Sequence, residues 1–396
     1  MHSVSIYRFL MGHRYPLRSE PTPRQSGTRL SPYRSFAIHS SSMSAQVDAR
    51  RYDFMSTRLT ISIFFFAFIN PVEAQPAAEP YVNIPDSISP EAQAVLRMMP
   101  DPNQAPPAPD PTEIEQWKAL QEIMEARNLE RQKDLVERLG PDVMKQDLGG
   151  VPVLDIKPRN WRSNGKIMVY THGGAYTLFS AASTLSSSAL MADATGLRVI
   201  SIDYTLAPHA KWQEITDQVV TVFTELGKQG YAMKDIAIYG DSAGGGLAAG
   251  TVLKMRDQGM GMPAAVVLWS PWSDITETGD TYVTLKHAEP AYIYENALKP
   301  SADAYADPKD QKHPYVSPVY GDYTQGFPPT LIQGGTKEIF LSNFVRHYQA
   351  LDAAGQTVKL DLYDGMIHVF MAAIPDSPES KLALSKVDAF LKEHLQ

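Results

Sequence analysis

From residue 143 onward, short apolar runs alternate with helical stretches, and this alternation narrows the choice of folds more than any other feature of the chain. The strand-like runs are 143–148, 151–156, 167–170, 198–203, 235–239, 264–269, 330–333 and 358–363. Several are apolar at every position, as in Ala265-Val266-Val267-Leu268-Trp269, and do not alternate polar with apolar. A strand of that kind must be covered on both faces, which is the condition of a mostly parallel sheet. Helices are predicted between the strands, for example over 215–226 and 243–255. No repeat of fixed period is present, which argues against solenoids and propellers. The expectation is one doubly wound α/β domain over 143–396, with helices on both faces of the sheet.

Within that frame, Gly240-Asp241-Ser242-Ala243-Gly244-Gly245 follows a predicted strand and opens a predicted helix. A serine on so tight a turn presents its hydroxyl, and the flanking glycines let neighbouring backbone pass close. The helix N-terminus adds N–H groups and positive potential where an oxyanion would form, with Ala243 N–H as one donor. His172-Gly173-Gly174-Ala175 follows the strand at 167–170, one strand–helix–strand unit earlier. Its glycines leave backbone N–H groups bare for a developing alkoxide. His172 is expected to orient this loop and not to act as base.

Of ten histidines, His368 suits a base best, because it lies in the loop Asp364-Gly365-Met366-Ile367-His368 after the last strand. The chain order serine, acid, histidine puts the base there. Two carboxylates compete for the acid. Glu338 follows the strand at 330–333 and Asp274 follows the strand at 264–269. Glu338 is preferred because its strand precedes that of His368, and consecutive strands tend to be neighbours.

The N-terminal third reads differently. Residues 1–54 carry eight arginines, no lysine and a charge of +5, with no hydrophobic periodicity, and are expected to be a disordered or misassigned extension. Residues 55–74 have a charged start, the apolar stretch Leu59–Ile69 and the small-residue end Val72-Glu73-Ala74, the pattern of a secretory signal peptide. Export to a periplasmic or extracellular location is therefore expected, with a cytoplasmic chain as the alternative. Eleven apolar residues are too few for a stable membrane span, which takes roughly 20. Residues 75–142 are proline-rich and carry cap helices. One is capped by Ser89 and ended by Pro100. A second is predicted to start at Asp110-Pro111-Thr112-Glu113, to carry Ile114, Trp117, Leu120 and Met124 on one stripe, and to stop near Gly140. They read equally well as a lid over a site or as packing helices.

The body from Gln75 carries −13, a poor partner for nucleic acid or anionic lipid, so a small neutral substrate is favoured. The chain has no cysteine, which excludes disulfides, thiolate catalysis and cysteine-ligated metals. No metal or cofactor is expected, and the oligomeric state is not legible.

Six segments in order resemble the hormone-sensitive-lipase-like group of α/β-hydrolase esterases, the bacterial family IV esterases. They are His172–Tyr176, Asp203–Pro208, Gly240–Gly245, Ser270–Asp274, Gly335–Glu338 and Gly365–Phe370. The resemblance implies an α/β-hydrolase fold with an N-terminal helical cap, and Ser242, Glu338 and His368 as catalytic residues. It implies oxyanion N–H groups from Gly173, Gly174 and Ala243, supported by His172 and Ala175. The implied activity is cofactor-free hydrolysis of short- to medium-chain acyl or aryl esters, with lactone hydrolysis or small-molecule binding without catalysis as alternatives. A serine peptidase of the same fold is disfavoured by the short N-terminal region. Three departures from the family pattern stand out: Ala175 replaces a glycine, Thr205 an arginine, and Glu338 the commoner aspartate.

Overall fold

The computed structural model describes residues 81–395. All eight predicted strands form: β1 Asp142–Leu148, β2 Val151–Lys157, β3 Ile167–Thr171, β4 Arg198–Ile202, β5 Ile236–Asp241, β6 Ala265–Trp269, β7 Thr330–Gly335 and β8 Val358–Tyr363. They make one sheet in the order β1-β2-β4-β3-β5-β6-β7-β8. The β1–β2 and β2–β4 pairs are antiparallel and the other five pairs are parallel.

The helices are α1 Pro90–Met98, α2 Ile114–Arg131, α3 Lys133–Leu139, α4 Leu185–Thr195, α5 Trp212–Lys228, α6 Ala243–Asp257, α7 Thr281–Thr284, α8 Lys299–Tyr305, α9 Leu341–Ala353, α10 Phe370–Ala373 and α11 Pro378–His394. Successive strand residues point to opposite faces, so each fully apolar strand feeds two cores. Ile167, Val169, Ile238 and Leu268 join residues of α5, α6 and α9 on one face. Met168, Tyr170, Tyr239 and Trp269 join residues of α1, α4 and α11 on the other. The absence of polar alternation in these strands is thus the direct consequence of two covered faces.

The N-terminal helices depart from expectation in two places: the single helix predicted to run to Gly140 is broken at Gln132 into α2 and α3, and its start lies later. The Asp110–Glu113 segment makes a turn ahead of the helix, and α2 begins at Ile114. Asp110 Oδ1 accepts from Thr112 N at 3.0 Å and from Thr112 Oγ1 at 2.6 Å, while Glu113 Oε2 accepts from Asp110 N at 3.1 Å. The aspartate satisfies its own turn and caps no helix. Of the predicted apolar stripe only Trp117 is fully buried, and Ile114 is exposed. Polar contacts hold α2 in place. Gln121 Nε2 donates to Thr177 O and Ala207 O, Asn128 Nδ2 donates to Ser183 O, and Glu125 Oε1 accepts from Ser180 Oγ. All but one of these partners lie in the 177–183 stretch that leaves the glycine loop. The α1 region behaves as predicted, with Ser89 Oγ accepting from Ala92 N, and it packs on the loop after β8: Ser87 Oγ donates to Asp364 Oδ2 at 2.8 Å.

The presumed extension at 1–54 and the signal peptide at 55–74 lie outside the described residues. Among the described residues no helix is long and apolar enough to cross a membrane.

Candidate active site

Ser242 sits where β5 turns into α6, at φ 55° and ψ −125°. A non-glycine residue there is strained, and the surroundings hold it. Ser242 N donates to Trp269 O at 2.8 Å, and Trp272 N donates to Ser242 O at 2.8 Å, so both sides of the turn are pinned to the end of β6. The turn also requires glycine at 244: a Cβ there would collide with the Thr171 carbonyl at the end of β3. Thr171 Oγ1 donates to Gly244 O at 2.7 Å across the same contact.

His368 and Glu338 are brought together. His368 Nδ1 lies 2.7 Å from Glu338 Oε2. The other carboxylate oxygen, Oε1, accepts from Ser270 Oγ at 2.8 Å and from Gly335 N at 2.6 Å. A carboxylate so filled can only accept, so Nδ1 carries the proton and Nε2 is left as the basic nitrogen. Burial by itself pushes the His368 imidazole down. The hydrogen bond and charge of Glu338, then the charges of Glu289 and Asp241, outweigh it and hold the pKa above the ordinary value.

Ser270 ties the pieces together and was not among the predicted residues. Its Oγ donates to Glu338 and accepts from Val369 N at 2.9 Å, next to His368. The preceding residue, Trp269, receives the N–H of Ser242. The nucleophile turn and the His368 loop therefore both abut the dipeptide 269–270. Its signal in the sequence is its place directly after an apolar strand, at the head of the family-like segment Ser270–Asp274.

Asp274, the rival acid, faces elsewhere. Its Oδ1 accepts from Thr276 N and Oγ1, and its Oδ2 accepts from Tyr320 OH at 2.8 Å and Arg346 Nη1 at 2.7 Å. It is fully buried and fully paired in a structural cluster.

The glycine loop is built around Asp241. His172 is buried, donates Nδ1–H to Gly173 O at 2.7 Å and stacks on Tyr204 at 4.2 Å. Burial pushes its pKa down, against the pull of the Gly173 carbonyl and nearby carboxylates, so it is neutral and has no contact with Glu338 among the hydrogen bonds of the described residues. One expectation needs correction here. Gly173 N–H is not free for a substrate oxygen, because it donates to Asp241 Oδ1 at 3.1 Å. Tyr170 OH donates to the same oxygen at 2.5 Å. Among the described residues the N–H groups of Gly174, Ala175 and Ala243 have no such acceptor. Ala175 takes φ 54° in spite of its Cβ, as Tyr176 takes 65°. Each such residue costs about 1–2 kcal/mol locally. Ala207 N donates to Tyr176 O at 2.9 Å, and Tyr176 stacks on Tyr305 at 3.6 Å, which holds the loop in this form.

At Thr205 the missing arginine is replaced by a reciprocal pair. Thr205 N donates to Gln218 Oε1 and Gln218 Nε2 donates to Thr205 Oγ1, both at 2.8 Å. Among the described residues no cluster of three or more histidines and carboxylates is arranged to hold a metal ion.

A family description of the α/β hydrolase fold matches residues 168–372, the span from β3 through the His368 loop into α10. The chain belongs to the α/β-hydrolase fold family. Within it, the chain is 34% identical over 232 residues to an acetyl-hydrolase of Streptomyces hygroscopicus, covering 58% of this chain and 77% of that one. It is 34% identical over 244 residues to an esterase of Acinetobacter venetianus, covering 61% and 79%. The crystal structure of esterase E25 superposes with a TM-score of 0.73 at 30% identity, over 79% of this chain and 96% of that one. An esterase of the bacterial hormone-sensitive lipase family superposes with a TM-score of 0.66 at 28% identity, over 78% and 99%. This α/β-hydrolase is accordingly a hormone-sensitive-lipase-like esterase, a carboxylic ester hydrolase.

Proposed function

We propose that the hydrolase works by two-step acyl transfer through Ser242. His368 Nε2 takes the hydroxyl proton as Oγ attacks the ester carbonyl carbon. Glu338 keeps the imidazole in the required tautomer and stabilises its charged form. The oxyanion lies against the N–H groups of Gly174 and Ala243, with Ala175 N–H the next along the loop, while Gly173 anchors the loop to Asp241. His368 returns its proton to the leaving alcohol. Water, activated by the same histidine, then releases the acid. The observation that carries this reading is the 2.7 Å Glu338–His368 pair on loops that share the 269–270 dipeptide with Ser242.

The proposed substrates are neutral esters of short- to medium-chain acids. Tyr292 and Phe340 set their rings edge-on to His368, at 4.9 and 5.4 Å, giving the base apolar surroundings suited to an uncharged acyl or aryl group. The name of the Streptomyces relative, an acetyl-hydrolase, points to the short end of that range.

The test is a series of nitrophenyl esters from acetate to laurate, beside a lactone and a peptide anilide, on wild-type and Ser242→Ala protein. The expected result is highest kcat/KM on a short acyl ester and loss of about 10⁶-fold in kcat in the variant. Activity of Ser242→Ala above about a thousandth of wild type would rule out serine nucleophilic catalysis.

A further inference from the structure

A second carboxylate is buried beside the His368–Glu338 pair. Glu289 lies between α7 and the turn Tyr294–Leu298, in the segment that follows Asp274, and none of its surface is exposed. Its Oε1 accepts from Ala291 N at 2.9 Å and its Oε2 accepts from Ile339 N at 3.3 Å. Ile339 is the residue after Glu338. Three residues beyond Glu289, the ring of Tyr292 meets His368 edge-on at 4.9 Å and Phe340 at 5.4 Å. One four-residue turn therefore grips both the backbone beside Glu338 and the face of the imidazole.

Burying an acid next to another acid is costly, and packing alone does not ask for it. Two backbone N–H groups converge on Glu289, one on each carboxyl oxygen, and the ionised form, which only accepts, satisfies both. A glutamine would turn its own N–H₂ toward one of them. Resting on the Ser242 reading above, we propose that Glu289 is a positioning residue for ester hydrolysis. It holds Glu338 in register with His368 through Ile339, and its ionised form adds a second negative charge to the imidazolium that arises in the transition state.

The charges around it fit this role. Burial pushes Glu289 up to about 8, with His368 pulling it down and Glu338 pushing it up. The titratable groups facing it are Glu338 and Lys337 from the turn after β7, His368 from the loop after β8, and Tyr292 from its own turn. At neutral pH the side chain is mostly protonated. It ionises on the mildly alkaline side, and the imidazolium is better stabilised above that point than below it.

The test compares Glu289→Gln and Glu289→Asp with wild type by kcat and KM from pH 5 to 10, by thermal melting, and by mass spectrometry after labelling with an organophosphate. Wild type is expected to show a second rising limb in kcat near pH 8. Glu289→Gln is expected to lose that limb and about tenfold or more in kcat, with KM nearly unchanged. Glu289→Asp, which keeps the charge, is expected to keep the limb and recover part of kcat. The proposal is overturned if Glu289→Gln superimposes on wild type. It is equally overturned if both variants lose stability and rate together while the shape of the pH profile stays the same. Labelling separates the two readings: an unlabelled Ser242 in wild type sinks the serine mechanism, whereas a labelled Ser242 with an unaltered Glu289→Gln profile sinks only the role of Glu289.

Discussion

The two candidate acids differ in what their oxygens already hold. Glu338 offers one oxygen to His368, whereas both oxygens of Asp274 are taken by Thr276, Tyr320 and Arg346. Glu338→Gln is therefore expected to lower kcat by about 10⁴-fold with a small change in melting temperature. Asp274→Asn is expected to keep most of kcat but to cost about 1.5–3 kcal/mol of stability by removing the charged acceptor of Tyr320 and of Arg346, which keeps only the Thr278 carbonyl. Steady-state kinetics and melts on both variants decide between them, and a dead but stable Asp274→Asn beside an active Glu338→Gln would reverse the roles. The pH dependence follows the same pair. The base works as neutral imidazole, and Glu338 raises its pKa, so kcat/KM should climb with pH along a limb centred above about 6.5. Residual activity in Glu338→Gln should show that limb moved to lower pH. At this scale the sequence was informative where a residue type and its place between elements sufficed, as for Ser242 and His368. It placed Ser270 in a family segment without a role and was silent on Glu289; their partners are 68 and 50 residues away and meet them only after the strand ends converge. Gly173 was misjudged because a glycine loop shows how many N–H groups are bare but not which one a neighbouring aspartate will take.

Central strands such as β6 were legible because a core on each side leaves no polar position in them, and the edge strand β8, which alternates Lys359 and Asp361 with apolar residues, also matches its predicted bounds. The start of α2 was not, because an aspartate three residues before a glutamate can close either a helix cap or a local turn, and Thr112 decided for the turn. Two predictions belong to elements. Helix α6 crosses the end of β3 so closely that Gly244→Ala should give no folded protein, which circular dichroism and recovery from expression would reveal. A soluble variant of wild-type stability would mean that α6 can move away from β3 without harm. Helix α9 carries a fully buried His347 between Ser273 Oγ and Tyr323 OH, and burial drives its pKa down to about 3. The unfolded chain takes up that proton below about 6.5, so the stabilising contribution is complete above that pH and is lost toward pH 3 at about 1.4 kcal/mol per unit. Urea denaturation at pH 7 and pH 5 should show a gap about 2 kcal/mol smaller in His347→Gln than in wild type. An equal gap in both proteins would mean that His347 is already charged in the fold.

For the molecule as a whole, the charge division between the first 54 residues and the body, together with the apolar stretch at 59–69, leads us to predict a mature protein that starts near Gln75. N-terminal sequencing of protein from the native host reads this directly, and soluble protein that retains Met1 or Met55 would refute export by that route. The sheet is laid down nearly in chain order, so most strands find a neighbour soon after they are made. The α1 region is the exception. Ser87 and Ser89 bond to residues 277 and 290 positions later, and Val82, Ile88, Ala92 and Leu96 join a core that includes Met366, Phe370 and Leu384 from the end of the chain. At a synthesis rate of about 5–20 residues per second, that segment leaves the ribosome roughly 15 to 60 seconds before its seat exists. During that interval its apolar side is an open target for chaperones, and the proline spacing that keeps it short also limits what it can pair with in the meantime.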